Sequence, residues 1–167
     1  ATGNCVIAKP SEITPMTAHL FSKLCIDVGI PKGVLNILHG TGPSIGGPMV
    51  EHPKIKAISF TGGSSTGKHI ASVAAPLLKK TSLELGGKNP TLVFADCDFD
   101  STVSEVARAA FSNQGQICLC GSRIYIERPI YEKFKQALIE KVEKLRIGDP
   151  LDESTQHGAL VSESHME

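Results

Sequence analysis

Glycine-rich turns that follow short apolar runs constrain the fold of this chain more than any other sequence feature. Residues 34–38 form an apolar run followed by Gly40-Thr41-Gly42, and residues 55–60 are followed by the small-residue loop 61–67. Short apolar runs bounded by turn residues are typical of buried strands. Helical spacing resumes after each turn, so the pattern predicts an α/β fold in which an open parallel sheet is covered on both faces.

The rest of the chain extends this alternation into two parts. Residues 5–8 predict a first strand, and Thr14-Pro15 predict the N-cap and first position of a helix. After residue 87 the strand and helix signals start again, ending in an amphipathic helix that opens at Pro129. We expect a first part over residues 1–86, incomplete at its N-terminus, and a second part over residues 87–167, incomplete at its C-terminus.

Composition excludes several classes of function. Lys plus Arg is 17 and Asp plus Glu is 17. Because these charges balance, the composition does not predict a nucleic-acid partner. No apolar run approaches the about 18 residues of a membrane span. The five cysteines are odd in number and irregularly spaced, which predicts neither a disulfide framework nor a metal site. Free thiols in a reducing compartment predict a cytoplasmic protein.

The loop over residues 60–68 has the composition of a phosphate-binding turn. It lies between a predicted strand and a predicted helix, where backbone N–H groups and the helix dipole favour an anion. Gly62, Gly67 and Lys68 match the P-loop spacing, but His69 stands where that motif needs a hydroxyl for magnesium. From its own residues, the loop fits equally well a βα turn that binds no ligand.

Two further motifs follow strands and leave alternatives open. Gly40-x-Gly42-x-x-x-Gly46 is not the standard dinucleotide fingerprint and by itself indicates tight packing at a turn. Glu84 stands between two leucines at a strand end, followed by Gly86-Gly87. Partial burial would raise the pKa of that carboxyl and suit it to a general base. Most isolated glutamates, however, only reach solvent.

A cysteine closes the last candidate motif. A predicted helix ends at Phe111, and Asn113-Gln114-Gly115-Gln116 leads to Cys118. Most free cysteines are buried small hydrophobes. Cys118 follows a turn and fits no helix or strand period, so it is a candidate nucleophile, with Cys120 as its competitor.

Together these residues resemble the NAD(P)-dependent aldehyde dehydrogenase superfamily. The motifs stand in the family's order and spacing, and the resemblance covers essentially the whole chain. They are Lys9-Pro10-Ser11-Glu12, Phe60-Thr61-Gly62, Leu83-Glu84-Leu85-Gly86-Gly87-Lys88 and Asn113-Gln114-Gly115-Gln116-Ile117-Cys118. The family's chain is much longer, so this sequence resembles its middle portion. Residues 118–123 are most similar to the branch that acts on 2-hydroxymuconic and 2-aminomuconic semialdehydes.

The resemblance implies a fold, a reaction and two catalytic residues. The fold is a Rossmann-like cofactor-binding part followed by the start of a catalytic domain. Cys118 would attack the aldehyde carbon, and hydride transfer to the nicotinamide would leave a thioester. Glu84 would activate the water that releases the acid. The family also implies a homo-oligomer, a dimer or a tetramer, with a small aldehyde as its substrate.

The resemblance further implies a set of cofactor-binding residues. Glu12 would accept hydrogen bonds from the adenosine ribose and disfavour a 2′-phosphate, which favours NAD over NADP. The implied set is Lys9, Ser11, Glu12, Gly42, Gly46, Phe60, Thr61, Gly62, Gly63, Thr66, Gly67 and Leu85. Gly63 stands where many members carry a serine.

Three alternatives accompany this interpretation. The family's oxyanion asparagine would precede Ala1 and its second ribose-binding glutamate would follow Glu167, so the chain alone could be an inactive nucleotide-binding or structural module. The second alternative is a CoA-acylating dehydrogenase, which would release its acyl group to CoA and not to water. The presence of Glu84, a candidate base for water, argues against this alternative. The third alternative is a nucleotide phosphate-binding protein that uses Gly62 and Lys68.

Overall fold

A computed structural model describes residues 2–166 of the chain. The described residues divide into two compact units, with the division between Glu84 and Leu85. The predicted boundary at residues 86 and 87 lies in the loop that follows, and the assignment of one function to each part stays a prediction.

The first unit alternates strands with helices, as the sequence predicts. Its elements are β1 (Val6–Ala8), α1 (Met16–Asp27), β2 (Leu35–Ile37), α2 (Gly47–Glu51), β3 (Ala57–Gly62), α3 (Ser64–Ala74) and β4 (Lys80–Leu85), of which the last residue, Leu85, already belongs to the second unit. Strands β1 and β2 are parallel, with Val6 opposite Leu35 and Ala8 opposite Ile37. Strand β3 pairs with β4, so the strands here form two pairs.

The second unit contains one crossover between parallel strands. Its elements are β5 (Pro90–Val93), α4 (Phe99–Phe111), β6 (Arg123–Ile126) and α5 (Tyr131–Glu143). Strands β5 and β6 are parallel over their full length, from Pro90 opposite Arg123 to Val93 opposite Ile126. The chain therefore leaves β5, passes through α4, and returns beside its starting point, as in other βαβ units.

A compact apolar core holds the second unit together. Val93 of β5, Val103 and Val106 of α4, and Phe134 of α5 are buried against one another. The ring of Phe99 meets the Phe134 ring edge-on, with centroids 5.6 Å apart, a geometry that aromatic pairs favour. Both helices are thus fixed to the strand that precedes the crossover.

Burial of the strands corrects one expectation. The apolar runs predict a sheet covered on both faces, but in β4 only Leu83 and Leu85 are half-buried, while Glu84 between them is exposed. Successive side chains of a strand point to opposite faces, so one face of β4 is covered and the other is open. The predicted cover on both faces is wrong for this strand as it stands in the structure.

Helices α4 and α1 begin differently. Asp98 caps α4, because its carboxylate accepts a hydrogen bond from Ser101 N at 3.0 Å. At α1, Pro15 occupies the N-cap position itself and no side chain caps the helix. The predicted N-cap at Thr14 is therefore wrong by one residue, since Pro15 precedes the first helical residue.

The helices of the described chain are short. The longest, α4 and α5, have 13 residues each. Within residues 2–166, no helix combines the length and apolarity needed to cross a membrane.

We expect Phe134→Ala to lower the free energy of unfolding of the chain by about 3–5 kcal/mol, because it empties a fully buried site. Phe94→Ala is the matched control: its ring is exposed, and its loss should cost about 0.5 kcal/mol or less. Urea unfolding followed by circular dichroism measures both. Equal losses for the two variants would contradict the core described above.

Candidate active site

Cys118 lies on an exposed turn just before β6. Cys120 N donates to Ile117 O at 3.0 Å, which closes a four-residue turn with Cys118 and Leu119 at its centre. The Cys118 side chain is exposed. Within the second unit as described, the Cys118 N–H has no hydrogen-bond acceptor. An exposed thiol thus lies beside a backbone donor that is free within its own unit.

The chain reaches this turn through three consecutive left-handed residues. Asn113, Gln114 and Gly115 have φ angles of 49°, 57° and 74°. Left-handed backbone is costly for residues other than glycine and clusters at functional sites. Glycine suits the third position, because its φ is positive and a Cβ there would lie 3.3 Å from Ala110 O. The three residues redirect the chain from the end of α4 toward the turn.

Cys120 has the opposite environment from Cys118. Its side chain is 7% exposed, and its Sγ lies 3.8 Å from Ser112 O. The next residue, Gly121, is also enclosed, because a Cβ there would clash with Thr91 Oγ1. The structure therefore separates the two candidate nucleophiles, with Cys118 open to solvent and Cys120 packed inside.

An asparagine that the sequence motifs did not single out supports the turn. Asn89 Nδ2 donates to Cys118 O at 2.7 Å and to Cys120 O at 3.3 Å. Asn89 follows Lys88 in the motif that begins at Leu83. The available sequence signal was an asparagine directly after a Gly-Gly turn, a residue type that often bonds nearby backbone.

Glu84 is exposed at the end of the first unit. The partial burial expected for a general base is not present at Glu84 in this structure. The reason is the strand alternation that buries its leucine neighbours instead. Cys118 belongs to the second unit.

The predicted ribose-binding residues come together in the first unit. Lys9 Nζ donates to Pro10 O at 2.7 Å, to Gly40 O at 3.2 Å and to Glu12 Oε2 at 3.3 Å. The ammonium of Lys9 thus ties the segment after β1 to the glycine turn after β2. A lysine with three acceptors uses its full donor capacity.

A cavity of about 400 Å³ opens beside this cluster. Ser11, Glu12 and Gly40 line it, together with His19 and His39. The two imidazole rings have centroids 5.8 Å apart. Sequence reasoning missed both histidines, because they lie 20 residues apart and share no motif. A concave site with a few polar groups is the usual form of a small-molecule site.

Two of the predicted glycines lie at this cluster. Gly42 and Gly46 bound a helical turn that Thr41 caps, with its Oγ1 accepting from Ser44 N at 3.3 Å. A Cβ on Gly46 would lie 4.0 Å from Cε of Lys9. The backbone of Gly42 makes the smallest contribution to lowering the pKa of the Glu12 carboxyl. The turn therefore lies beside the Lys9–Glu12 pair, and a Cβ on Gly42 would meet nothing within 4 Å.

The predicted phosphate loop ends β3 and opens α3. Phe60, Thr61 and Gly62 are the last residues of β3, and a Cβ on Gly62 would fall 2.5 Å from the Phe60 ring. Gly63 is the N-cap of α3, and no side chain caps that helix. The loop residues Thr66 and Gly67 lie in the first turn of α3, with Thr66 exposed and Gly67 buried. Uncapped N–H groups at a helix start favour an anion.

The remaining predicted cofactor contact, Leu85, belongs to the second unit.

Comparison with known proteins identifies the family. The model of the aldehyde dehydrogenase family matches residues 1–167. The chain belongs to the aldehyde dehydrogenase family.

Individual relatives agree with this assignment. The chain is 48% identical over 167 residues to 2-aminomuconic semialdehyde dehydrogenase of Mus musculus, covering all of this chain and 34% of that protein. It is also 48% identical over 168 residues to 2-aminomuconic 6-semialdehyde dehydrogenase of a Pseudomonas species, covering 34% of that protein. The crystal structure of betaine aldehyde dehydrogenase from Staphylococcus aureus in complex with NAD+ superposes with a TM-score of 0.94 at 42% identity, over 98% of this chain and 33% of that one.

The chain thus spans about a third of the length of the aldehyde dehydrogenases it matches. The predicted family and its α/β fold are confirmed. The roles of individual residues stay predictions.

We expect iodoacetamide to alkylate Cys118 far faster than Cys120, because only the first thiol is open to solvent. Peptide mass spectrometry of a time course measures both rates in one sample. Exposed Cys5 and buried Cys25 serve as internal references for an open and a closed thiol. Equal rates at Cys118 and Cys120 would contradict the described environments.

We expect the carboxyl of Glu12 to titrate below its ordinary range. The hydrogen bond from its own backbone and the Lys9 ammonium lower its pKa, in that order. Because the pKa is lowered on folding, the interaction stabilises the fold above the ordinary pKa and is lost as pH falls through the lowered value. In Lys9→Met the Glu12 pKa, followed by NMR, should rise yet stay below its ordinary value. An unchanged pKa would show that Lys9 does not act on it.

Proposed function

We propose that the protein of which this chain is a part oxidises an aldehyde to the carboxylic acid, with NAD as the acceptor and Cys118 as the nucleophile. The observation that carries the proposal is the exposed Cys118 thiol on a turn, beside a backbone N–H that is free within its unit. Membership of the aldehyde dehydrogenase family supports the reaction class.

The first half of the reaction needs a nucleophile and an oxyanion donor. The Cys118 thiolate attacks the aldehyde carbon, and the new C–S bond leaves a negative charge on the former carbonyl oxygen. The Cys118 N–H is a fixed donor next to the attacking sulfur and can hydrogen-bond to that oxygen. A bound NAD would supply the hydride acceptor, and loss of the hydride from the carbon would leave Cys118 as a thioester.

The second half of the reaction releases the acid. Glu84 takes a proton from a water molecule, which attacks the thioester carbon and breaks its C–S bond. The acid leaves and the Cys118 sulfur is restored. An exposed carboxylate on β4 is reached by water, which suits a hydrolytic step.

The first unit has groups that fit NAD. Glu12, held by Lys9, offers carboxylate oxygens at the rim of the cavity, which suits the two hydroxyls of the adenosine ribose. The uncapped start of α3 after Gly63 offers backbone N–H groups to a pyrophosphate. These donors and acceptors support the binding of NAD. Gly42, Gly46 and Leu85 are proposed as further NAD contacts from the family resemblance.

The finer assignments are also proposals. The two relatives named for 2-aminomuconic semialdehyde support a muconic-type semialdehyde as the substrate. Five free cysteines support a reducing, cytoplasmic location. The family resemblance implies a homo-oligomer for the parent protein.

Substitutions in the full-length parent protein test the two catalytic roles. Cys118→Ala should abolish aldehyde-dependent NADH formation. Glu84→Gln should keep a single burst of NADH of one equivalent per site but lose steady turnover, because the thioester forms and is not hydrolysed. Stopped-flow absorbance of NADH measures both.

Cys120→Ala is the matched control and should retain turnover, since that thiol is packed inside. Retained oxidation in Cys118→Ala would overturn the assignment of the nucleophile. Turnover that appears only when CoA is added would favour the acylating alternative.

A further inference from the structure

The side-chain amide of Asn89 is the polar group that spans the turn around Cys118. We propose that Asn89 is a positioning residue that holds this turn in one backbone orientation and so sets the reactivity of the Cys118 thiol. The proposal rests on the proposed function only in taking Cys118 as the nucleophile.

The turn has one peptide whose direction its own closure does not set. The hydrogen bond from Cys120 N to Ile117 O closes the turn, but the central peptide, which joins Cys118 to Leu119, takes no part in it. Type I and type II turns differ in the direction of this central peptide. The carbonyl of Cys118 belongs to that peptide, so whatever binds the carbonyl selects the orientation.

Asn89 binds that carbonyl directly. Its Nδ2 donates one hydrogen to Cys118 O at 2.7 Å and the other to Cys120 O at 3.3 Å. One amide thus uses both of its donors on the same turn. Rotation of the central peptide would break the shorter bond.

Asn89 is itself held in place. Its backbone carbonyl accepts from Arg123 N at 3.2 Å, where β6 begins. On the other side, Gly87 leaves room for the amide, because a Cβ there would lie 3.2 Å from Asn89 Oδ1. The amide therefore transmits the position of the β5–β6 ladder to the turn.

Packing constrains the turn weakly by comparison. Leu119 is 81% exposed and Ile117 is 40% exposed, so neither flanking side chain anchors it firmly. A nucleophile must approach the reacting carbon within about 3–3.5 Å in a fixed direction. A turn that loses its polar anchor would sample orientations in which the thiol is misdirected.

Two variants of the full-length parent protein separate a donor role from a packing role. Asn89→Ala removes the side chain, whereas Asn89→Asp keeps its shape but replaces the donor with an acceptor. We expect both to slow Cys118 alkylation by iodoacetamide, and the NADH burst, roughly 10-fold, the effect of losing about one net hydrogen bond. NAD affinity should stay unchanged.

Asn36→Ala is the matched control. Asn36 Nδ2 also donates to two backbone carbonyls, those of Gly33 at 2.9 Å and Val6 at 3.2 Å, but it belongs to the first unit. Asn36→Ala should lower the melting temperature about as much as Asn89→Ala does, and it should leave the alkylation rate of Cys118 unchanged.

The outcomes distinguish this proposal from the assignment of the nucleophile. Parental alkylation and burst rates in both Asn89 variants would overturn it, as would recovery in Asn89→Asp alone or an equal loss in Asn36→Ala. If Cys118→Ala retains aldehyde oxidation, the proposed function fails, yet the alkylation rates still test the hold of Asn89 on the turn.

Discussion

The parallel ladder between β5 and β6 is the constraint on which the candidate active site depends. Cys118 lies in the connection from α4 to β6, so the ladder determines where that connection must end. The buried Val93 and Phe134 fix β5 and the two helices to one core. Gly121 N donates to Ala109 O at 3.2 Å, which joins the segment after the turn to the last turns of α4. The turn that carries Cys118 is therefore held on both sides by rigid elements, although Cys118 itself lies in neither a helix nor a strand.

The connection between α4 and the turn has an energetically costly backbone conformation. A right-handed helix cannot continue into the turn and also return to β6 in register, and the left-handed run at Asn113, Gln114 and Gly115 makes the reversal. Such conformations persist only where surrounding structure determines them. Here the cap of α4 at Asp98 fixes one end of the helix and the ladder fixes the far side of the turn. The run between them is strained because both ends are held.

Much of this arrangement follows from sequence, and the exceptions have physical reasons. The alternating elements, the Asp98 cap and the family were predictable, because periodicity, capping chemistry and motif spacing are local properties. The exposure of Glu84 depends on which face of β4 is covered, which an apolar run does not specify. The left-handed backbone of Gln114 runs against its residue type, so propensity could not predict it. The approach of His19 to His39 depends on how α1 packs beside β2, which is a tertiary property.

In the first unit a strand ladder and a flexible cation together bring distant residues into contact. The parallel pairing of Ala8 with Ile37 places the segment after β1 beside the turn after β2. Lys9 Nζ then joins the two, reaching Gly40 O, 31 residues along the chain, while also contacting Glu12. Because the ammonium is a point charge on a long stem, it can satisfy several acceptors without a fixed plane. The carboxylate of Glu12 is then held ionised at the rim of a cavity, where an uncharged diol is a better partner than a phosphate. In the proposed function the preference for NAD over NADP depends on the Glu12 carboxylate, which Lys9 holds beside the glycine turn.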